Sequence, residues 1–429
     1  EHYPLAICAS GALLEYLKFA NKTELKHINR MSLYTAHDYV FISPAAHYGL
    51  ELEDVLKNIN QTQTSMGYRL FRFWMFHPLK DVAKIQERQE AVKLLVEHPK
   101  PTAQLKECFA QMPDLEKALS RISCGCCSIK DILSLRSGLL RAPLMQEALT
   151  PWQHNLLKVD DLPQLREFLT KTINPDIPLA KPEGKIIAPG IDEELDRLRD
   201  LQDNGRSWLA NYHAQEIKRT GINSLKVGFN SVFGYYLEIT KTHQKSAPEN
   251  YIRKQTLANG ERYITPELKE YEENFLSAQD KILAIEKRIL QKVEKEILDH
   301  APLLYTYASQ LAHVDCLISL SSLKTRAGYI FPALDDSMTI DIKDGRHPVV
   351  EKTVAENFIA NDTLLDNQDN HLIILTGPNM AGKSTYIRQT AILVLMAQMG
   401  AAIPASSAQI GLVDKIFTRI GAHDDIAKN

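Results

Sequence analysis

Cysteine is sparse in this chain of 429 residues: Cys8, Cys108, Cys124, Cys126, Cys127 and Cys316 are all there is. That usage fits a cytoplasmic protein without disulfides. The cluster Cys124-Gly-Cys-Cys127 lacks a second Cys or His pair at the spacing a structural zinc site requires, so it reads as reduced thiols in a turn. Long apolar runs are missing too. The longest, Ala391 to Met399, is broken by Gln398 and falls short of the ~20 residues of a membrane span. No secretory signal opens the chain. The formal net charge is only −3, so any surface for nucleic acid has to be local. Neither a repeat of fixed period nor a low-complexity tract occurs, which argues against a solenoid and against a disordered tail. What remains is a globular composition, 44% hydrophobic and 24% charged, over a length that suits about two to four domains.

Residues 1 to about 185 read as helical, with Leu-rich periodic stretches at Ser10 to Ala20 and Val82 to Glu97 and a Pro-containing break at His98 to Thr102. A proline-bearing linker follows at Ile173 to Pro189. Ile191, Leu195, Leu198, Leu209 and Tyr212 then keep helical spacing to about Thr220, with Asp192, Glu193 and Glu194 placed to favour the helix dipole. A second long helix starts at Thr265-Pro266, a cap residue followed by proline at the first helical position. In it Leu268, Tyr271, Phe275, Ala278, Ile282, Ile285 and Ile289 recur in steps of three and four, a coiled-coil seam. It runs to about His300, a span of about 50 Å, and more helix follows to about Lys324. Two such helices pairing antiparallel would make a long arm.

The segment between them, 222 to 264, is different in kind. Leu225 to Asn230 and Tyr235 to Thr240 read as strands joined by a tight turn containing Gly234. Lys226, Lys241, Lys245, Arg253, Lys254 and Arg262 outnumber Glu238, Glu249 and Glu261, and Phe229, Phe233, Tyr235, Tyr236 and Tyr251 are interleaved. A positive, aromatic tip suits contact with a phosphate backbone. A solvated hairpin whose aromatics form its own small core explains the same residues.

From about 337 the pattern is α/β. Met338 to Ile342 alternates like a strand, Lys415 to Ile420 reads as another, and His371 to Thr376 (HLIILT) reads as a buried strand. That last run leads into Gly377-Pro-Asn-Met-Ala-Gly-Lys-Ser384, which fits the phosphate-loop pattern Gly-x-x-x-x-Gly-Lys-[Ser/Thr] and opens a long apolar helix. Gly377 and Gly382 permit backbone conformations barred to other residues. The loop amides can then surround phosphate oxygens at the positive end of the helix. Lys383 is placed to reach the β- and γ-phosphates, and the Ser384 hydroxyl to ligate Mg²⁺. A P-loop ATPase also needs a later apolar strand ending in a carboxylate. Only 45 residues follow Ser384, and the nearest candidate, Ile410 to Asp414, is interrupted by Gly411 and followed by Lys415. Asp424 and Asp425 lie in a polar stretch. Residue 1 is Glu. The expectation is an internal piece of a longer protein, cut inside its nucleotide-binding domain.

With these pieces in order, the chain resembles the MutS family of DNA mismatch-repair ATPases. The stretches that carry the likeness are Thr376 to Thr390, Gly345-Arg-His-Pro-Val-Val-Glu351, Phe358-Ile-Ala-Asn361, Ile416 to Ala422 with Asp424-Asp425, Val227 to Tyr236, Arg253 to Leu257, Glu261 to Leu268, and Thr64 to Leu70. The resemblance implies a multidomain, mainly α protein. A helical core and first lever helix would occupy 1–221, a β-rich clamp 222–264, and a second lever helix with the return to the core 265–336. A partial P-loop ATPase domain of the ABC type would occupy 337–429. It implies ATP/ADP and Mg²⁺ held by Gly377, Pro378, Asn379, Met380, Ala381, Gly382, Lys383, Ser384 and Thr385. Phe358 falls in a stretch that in the family lies against the adenine; a core role is the competing reading.

The resemblance further implies a clamp that grips double-stranded DNA by its backbone. Lys241, Lys245, Arg253 and Lys254 are the expected contacts, and a MutS-like second subunit is expected to complete the ATP sites. Lys383 would stabilise phosphate charge, while the general base, the Walker B carboxylate and the signature loop are not in the chain, so little hydrolysis is expected. No Phe here has Glu two residues later, so the family's mismatch-reading wedge is absent, as is the connector domain. A family member that clamps DNA junctions without reading mismatches remains an alternative. An unrelated ABC-type ATPase with coiled-coil arms is a more remote one.

Overall fold

The structure is a computed structural model that describes residues 3–21, 28, 36–178, 185–230, 234–257, 259–354, 358–378 and 381–419, without the side chains of 21, 36, 201, 204–207, 245 and 274–276. Its helices are α1 (Pro4–Asn21), α2 (Pro44–Gly49), α3 (Leu52–Ile59), α4 (Ser65–Phe76), α5 (Val82–Glu97), α6 (Pro99–Phe109), α7 (Leu115–Ser123), α8 (Ile129–Leu139), α9 (Ala142–Leu149), α10 (Pro163–Thr172), α11 (Glu193–Thr220), α12 (Pro266–Asp299), α13 (Ala301–Lys324), α14 (Val350–Val354) and α15 (Lys383–Gln398). Its strands are β1 (Phe41–Ile42), β2 (Lys226–Asn230), β3 (Gly234–Thr240), β4 (Ile252–Thr256), β5 (Gly260–Ile264), β6 (Tyr329–Ile330), β7 (Ala333–Asp335), β8 (Ile340–Gly345), β9 (Asn361–Leu365), β10 (Ile403–Pro404), β11 (Ser407–Gly411) and β12 (Lys415–Ile416). The protein is thus mainly helical with small sheets. It divides into two compact units, Glu1–Arg166 with Leu298–Asn429, and Glu167–Ile297. Among the described residues no helix is long and apolar enough to cross a membrane.

In the first unit α13 is the centre. Most of it is buried, with a polar stripe at Thr306, Ser309, Gln310 and His313 left toward solvent, and Leu304, Tyr307, Leu311, Leu317, Leu320 and Leu323 are all buried. It packs against α4, α5, α6 and α7. Each fully buried Leu or Ile contributes about 1.5–3 kcal/mol. Its one buried carboxylate has a structural task. Asp315 accepts from Gln63 N–H (2.9 Å), Thr64 N–H (2.9 Å) and the Thr64 hydroxyl (2.7 Å), while Thr64 caps α4 by accepting from Gly67 N–H (2.8 Å). A side chain from one helix therefore completes the cap of another. Further along, β7-β11-β8-β9 form a four-stranded sheet, with β11 parallel to β7 and antiparallel to β8. β12 runs parallel to β1 in the helical part.

In the second unit α11 and α12 lie side by side and antiparallel. Asp192 pairs with Arg288 (2.8 Å) and Arg199 with Glu286 (2.7 Å); Trp208 stacks on Tyr271 with ring centroids 4.3 Å apart; Tyr212 and Thr265 share a 2.6 Å hydrogen bond. Asp192 is the N-cap of α11, accepting from Leu195 N–H at 3.1 Å, and Gly221, at φ 69°, ends that helix. On α12 Leu268, Ala278, Ile282, Ile285 and Ile289 are buried, and the seam continues through Val293 and Ile297. The side chain of Phe275 lies outside the described residues.

Between the two helices four antiparallel strands, not two, form a sheet in the order β2-β3-β5-β4. The connection 231–233 lies outside the described residues. Gly234, at φ 82°, sits where a β-carbon would fall on the Glu272 carboxylate, which accepts from Tyr235 N–H at 3.1 Å. The sheet rests on a core of Tyr212, Ile222, Leu225, Leu237, Ile239, Tyr251, Tyr263 and Leu268.

Candidate functional site

The glycine loop and the start of α15 supply a set of unsatisfied donors. Gly382 is the N-cap of α15, in the left-handed region at φ 84°, and it has no side chain with which to cap. The amides of Lys383, Ser384 and Thr385 in the first turn therefore have no intrahelical acceptor. Gly377 has φ 149°, and open space surrounds both glycines. The Lys383 ammonium turns back into the loop, donating to the carbonyls of Gly377 (2.7 Å) and Pro378 (2.5 Å). Ser384 is exposed, and among the described residues its hydroxyl has no partner. Pro378 and Ala381 flank Asn379 and Met380, which lie outside the described residues. Phe358 is half-buried in a segment without regular structure, beside Ile359, which is 82% exposed.

α15 is tied to the sheet beside it. The Thr363 hydroxyl donates to the Tyr386 hydroxyl (3.1 Å), which donates to the Asp362 carbonyl (3.1 Å). Gln389 is fully buried with both amide atoms unpaired, and its nitrogen is 3.0 Å from where a β-carbon on Gly345 would stand. His347, two residues on, accepts weakly through Nδ1 from the N–H groups of Val349 (3.3 Å) and Val350 (3.4 Å). That fixes the neutral ring. Burial first, and then the Arg388 guanidinium, hold its pKa down to about 4.

One expectation fails here. His371 to Thr376 is not a buried strand: 371–378 carries no regular structure, and Leu372 and Ile374 are 78% and 80% exposed. A buried strand needs hydrogen-bonded neighbours and cover on both faces, and among the described residues no strand pairs with this run. Under it lies an apolar groove of about 320 Å³, lined by Ile340, Leu365, Ile387, Val394 and Val413 among others. Ile410 belongs to β11, and Asp414 follows it outside any strand. The expected strand at 415–420 is regular only at Lys415–Ile416; residues 420–429, with Asp424 and Asp425, lie outside the described residues.

The basic residues of the second unit fall into two groups. Lys241, at the start of a 3-10 turn (Lys241–Ser246), and Lys254, on edge strand β4, are exposed, and among the described residues neither has an ion-pair partner. Lys254 lies where the β4–β5 register shifts between Arg253 and Gln255, a bulge that leaves it unpaired. The side chain of Lys245, on the same turn, lies outside the described residues. Arg253 and Arg262 have internal partners. Arg253 donates to the buried Glu261 (3.0 Å), and Arg262 to Glu238 (3.1 Å) while lying over the Tyr236 ring at 4.3 Å. The Tyr263 hydroxyl also donates to Glu261 and, with Arg253 beside it, holds that carboxyl below its ordinary range. Burial and Glu261 in turn push the Tyr263 phenol up to about 12. Tyr251 donates to Glu216 at 2.6 Å. Of the aromatics, Tyr251 and Tyr263 belong to the core, whereas Phe229 is 58% exposed.

Sequence reasoning named Tyr386, His347 and Glu261 only within longer stretches or as a counted charge and gave none of them a role. It did register Gln398, the polar residue that interrupts the longest apolar run; that residue is fully buried and holds three hydrogen bonds to the Leu79 and Val413 backbones.

Comparison with known proteins bears on the whole chain. The family description MutS domain III matches residues 46–321, and MutS domain V matches residues 373–429. The DNA mismatch repair protein MutS of Acetivibrio thermocellus is 42% identical over 441 residues, covering 99% of this chain and 51% of that protein. The protein of the same name from Salinibacter ruber is 40% identical, covering 99% and 48%, and that from Parabacteroides distasonis 42% identical, covering 100% and 51%. The chain spans about half the length of the curated relatives it matches. Identity at this level over essentially every residue, from the helical core through the glycine loop, shows that the chain belongs to the MutS family of DNA mismatch-repair proteins.

Proposed function

We propose that the chain binds ATP or ADP with Mg²⁺ at 377–385 and holds duplex DNA through the β-rich segment 222–264, with the nucleotide controlling the grip. The observation that carries the nucleotide half is the uncapped start of α15, with two glycines at positive φ and a lysine folded into the loop they make. The free amides and the exposed Ser384 hydroxyl fit a triphosphate and its metal ion. When bound, Mg²⁺ would neutralise charge shared by the β- and γ-phosphates. Lys383 would exchange its two carbonyl acceptors for phosphate oxygens, Ser384 would face the metal, and the amides would hold the β-phosphate. Phe358 is proposed to lie against the base.

On this reading 1–221 and 265–336 form the core and levers, 222–264 the clamp and 337–429 the nucleotide-binding part. The open charges Lys241 and Lys254 meet phosphates directly, with Lys245 on the same turn. Arg253 shares its charge with Glu261 and contributes less. A MutS-like second subunit completes the ATP sites, and the chain by itself binds ATP but hydrolyses it poorly. The test is calorimetric titration with Mg·ATP, for wild type and Lys383→Ala, with phosphate release followed in parallel. Saturable binding that Lys383→Ala weakens supports the site. Binding that survives the substitution unchanged, or turnover at a rate typical of intact ATPases, overturns the corresponding half.

A further inference from the structure

The far end of α15 is held as specifically as its start is open. The last four carbonyls of a helix need donors from elsewhere. Two are met by the chain's own turn: Gly400 N–H donates to Ala397 and Ala401 N–H to Met396, both at 2.9 Å, with Gly400 at φ 86°. The other two are met by the helical core. Leu79 N–H donates to the Gln398 carbonyl (3.1 Å), and Arg88 Nη1 to the Met399 carbonyl (2.6 Å).

Arg88 is an unusual donor. It is 9% exposed, and among the described residues no carboxylate lies within ion-pair distance of it. Its guanidinium lies 3.6 Å from the centre of the Trp74 ring, and its stem packs against Gly400, where a β-carbon would approach Cδ to 2.9 Å. Burial holds its pKa down to about 10. A buried cation without a counter-ion is costly. Here the negative end of a helix dipole and the face of an indole offset that cost. Sliding α15 along its axis would break the 2.6 Å bond and leave the charge stranded. The same helix, about 24 Å long, carries Lys383 and Ser384 at its other end.

We propose that Arg88 is a positioning residue for the phosphate loop: it fixes the axial seat of α15, so that filling the loop and the packing of Arg88 on Trp74 are thermodynamically coupled. The inference rests on the nucleotide reading above and adds to it the route by which loop occupancy enters the helical core. Coupling of this kind is reciprocal: what the nucleotide does to the joint, the joint does to the nucleotide.

The experiment is ¹⁹F NMR of the full chain labelled with 5-fluorotryptophan, with Trp152→Phe and Trp208→Phe used to assign the Trp74 signal, titrated with Mg·ADP and with a non-hydrolysable ATP analogue. The Trp74 signal should move saturably while that of Trp152 stays. Arg88→Met, which keeps the buried volume, should bind nucleotide on the order of five- to tenfold more weakly and lose the Trp74 response. Arg88→Lys should recover part of both. A silent Trp74 signal at saturating nucleotide, or wild-type affinity in Arg88→Met, overturns the proposal and leaves the nucleotide site standing. No nucleotide binding by the wild type overturns both. Should Arg88→Met fail to fold, the wild-type response and Arg88→Lys decide by the same criteria.

Discussion

A β-carbon added to Gly67 would fall on the carboxylate of Asp315, the acceptor that completes the cap of α4. An alanine in a helix ordinarily stabilises by up to about 1 kcal/mol over glycine. Here the sign inverts. Gly67→Ala should destabilise by about 2–3 kcal/mol through overpacking, and Asp315→Ala by about 3 kcal/mol through the donors it leaves unanswered. Urea unfolding monitored by circular dichroism reads both. A neutral or stabilised Gly67→Ala would show that α13 and α4 are not held at this distance.

Stability should depend on pH through His347. Its folded pKa is lowered to about 4 from the ordinary histidine value of 6.5. Between those values the unfolded chain binds more protons than the folded one, so stability rises with pH there. The contribution is complete above about pH 6.5 and is lost as pH falls toward 4. Melting temperature against pH should slope upward over that interval, and His347→Asn should flatten the slope. His47 and His313, whose values are also lowered by burial, keep a residual slope.

Lys383 should report the phosphate directly. Lys383→Ala removes a charge-assisted contact of about 1.5–3 kcal/mol and should weaken Mg·ATP binding roughly ten- to a hundredfold. The melting temperature without nucleotide should stay within about a degree, because the two carbonyls Lys383 now engages lie at an exposed loop. A large drop in the nucleotide-free melting temperature would make Lys383 a structural residue.

The two groups of basic residues should separate in DNA binding. Replacing Lys241 and Lys254 by alanine should weaken duplex binding and flatten the dependence of log K on log salt by about 1.8. The fold should be unaffected, since neither residue has an ion-pair partner among those described. Arg253→Ala should instead lower the melting temperature by leaving buried Glu261 short of its cation, with a smaller change in salt slope. Equal slopes for all three proteins would remove residues 222–264 from the proposed DNA interface. Tyr251→Phe is a control: loss of its bond to Glu216 costs about 2 kcal/mol at a residue with no expected DNA contact.

The long helices are legible in the sequence because local chemistry and burial agree there. Asp192 and Pro266 mark the starts, Gly221 the first end, and apolar steps of three and four give the seam. Strands β4 and β5 are not legible. Ile252–Thr256 is exposed throughout and polar after Ile252, as an edge strand can be, and β5 buries a glutamate that Tyr263, Arg253 and Gln244 make tolerable. The glycine loop is legible as a pattern. Arg88 is not, since its partner Met399 lies 311 residues away and arginine in a helix carries no sign of what lies across from it. The apolarity of 371–376 predicted cover, yet periodicity describes a side chain's preference and says nothing of whether a neighbour is present to satisfy it.

The bare run 371–378 has a practical corollary. It exposes Leu372 and Ile374, with Ile387 half-exposed on the groove beneath, on backbone that no strand pairs among the described residues, and so offers a surface on which other segments can add. A net charge of −3 provides little long-range repulsion to keep copies apart. This short seam should therefore favour self-association, so shelf life should shorten as protein concentration rises, and Ile374→Lys should lengthen it without disturbing the helical core.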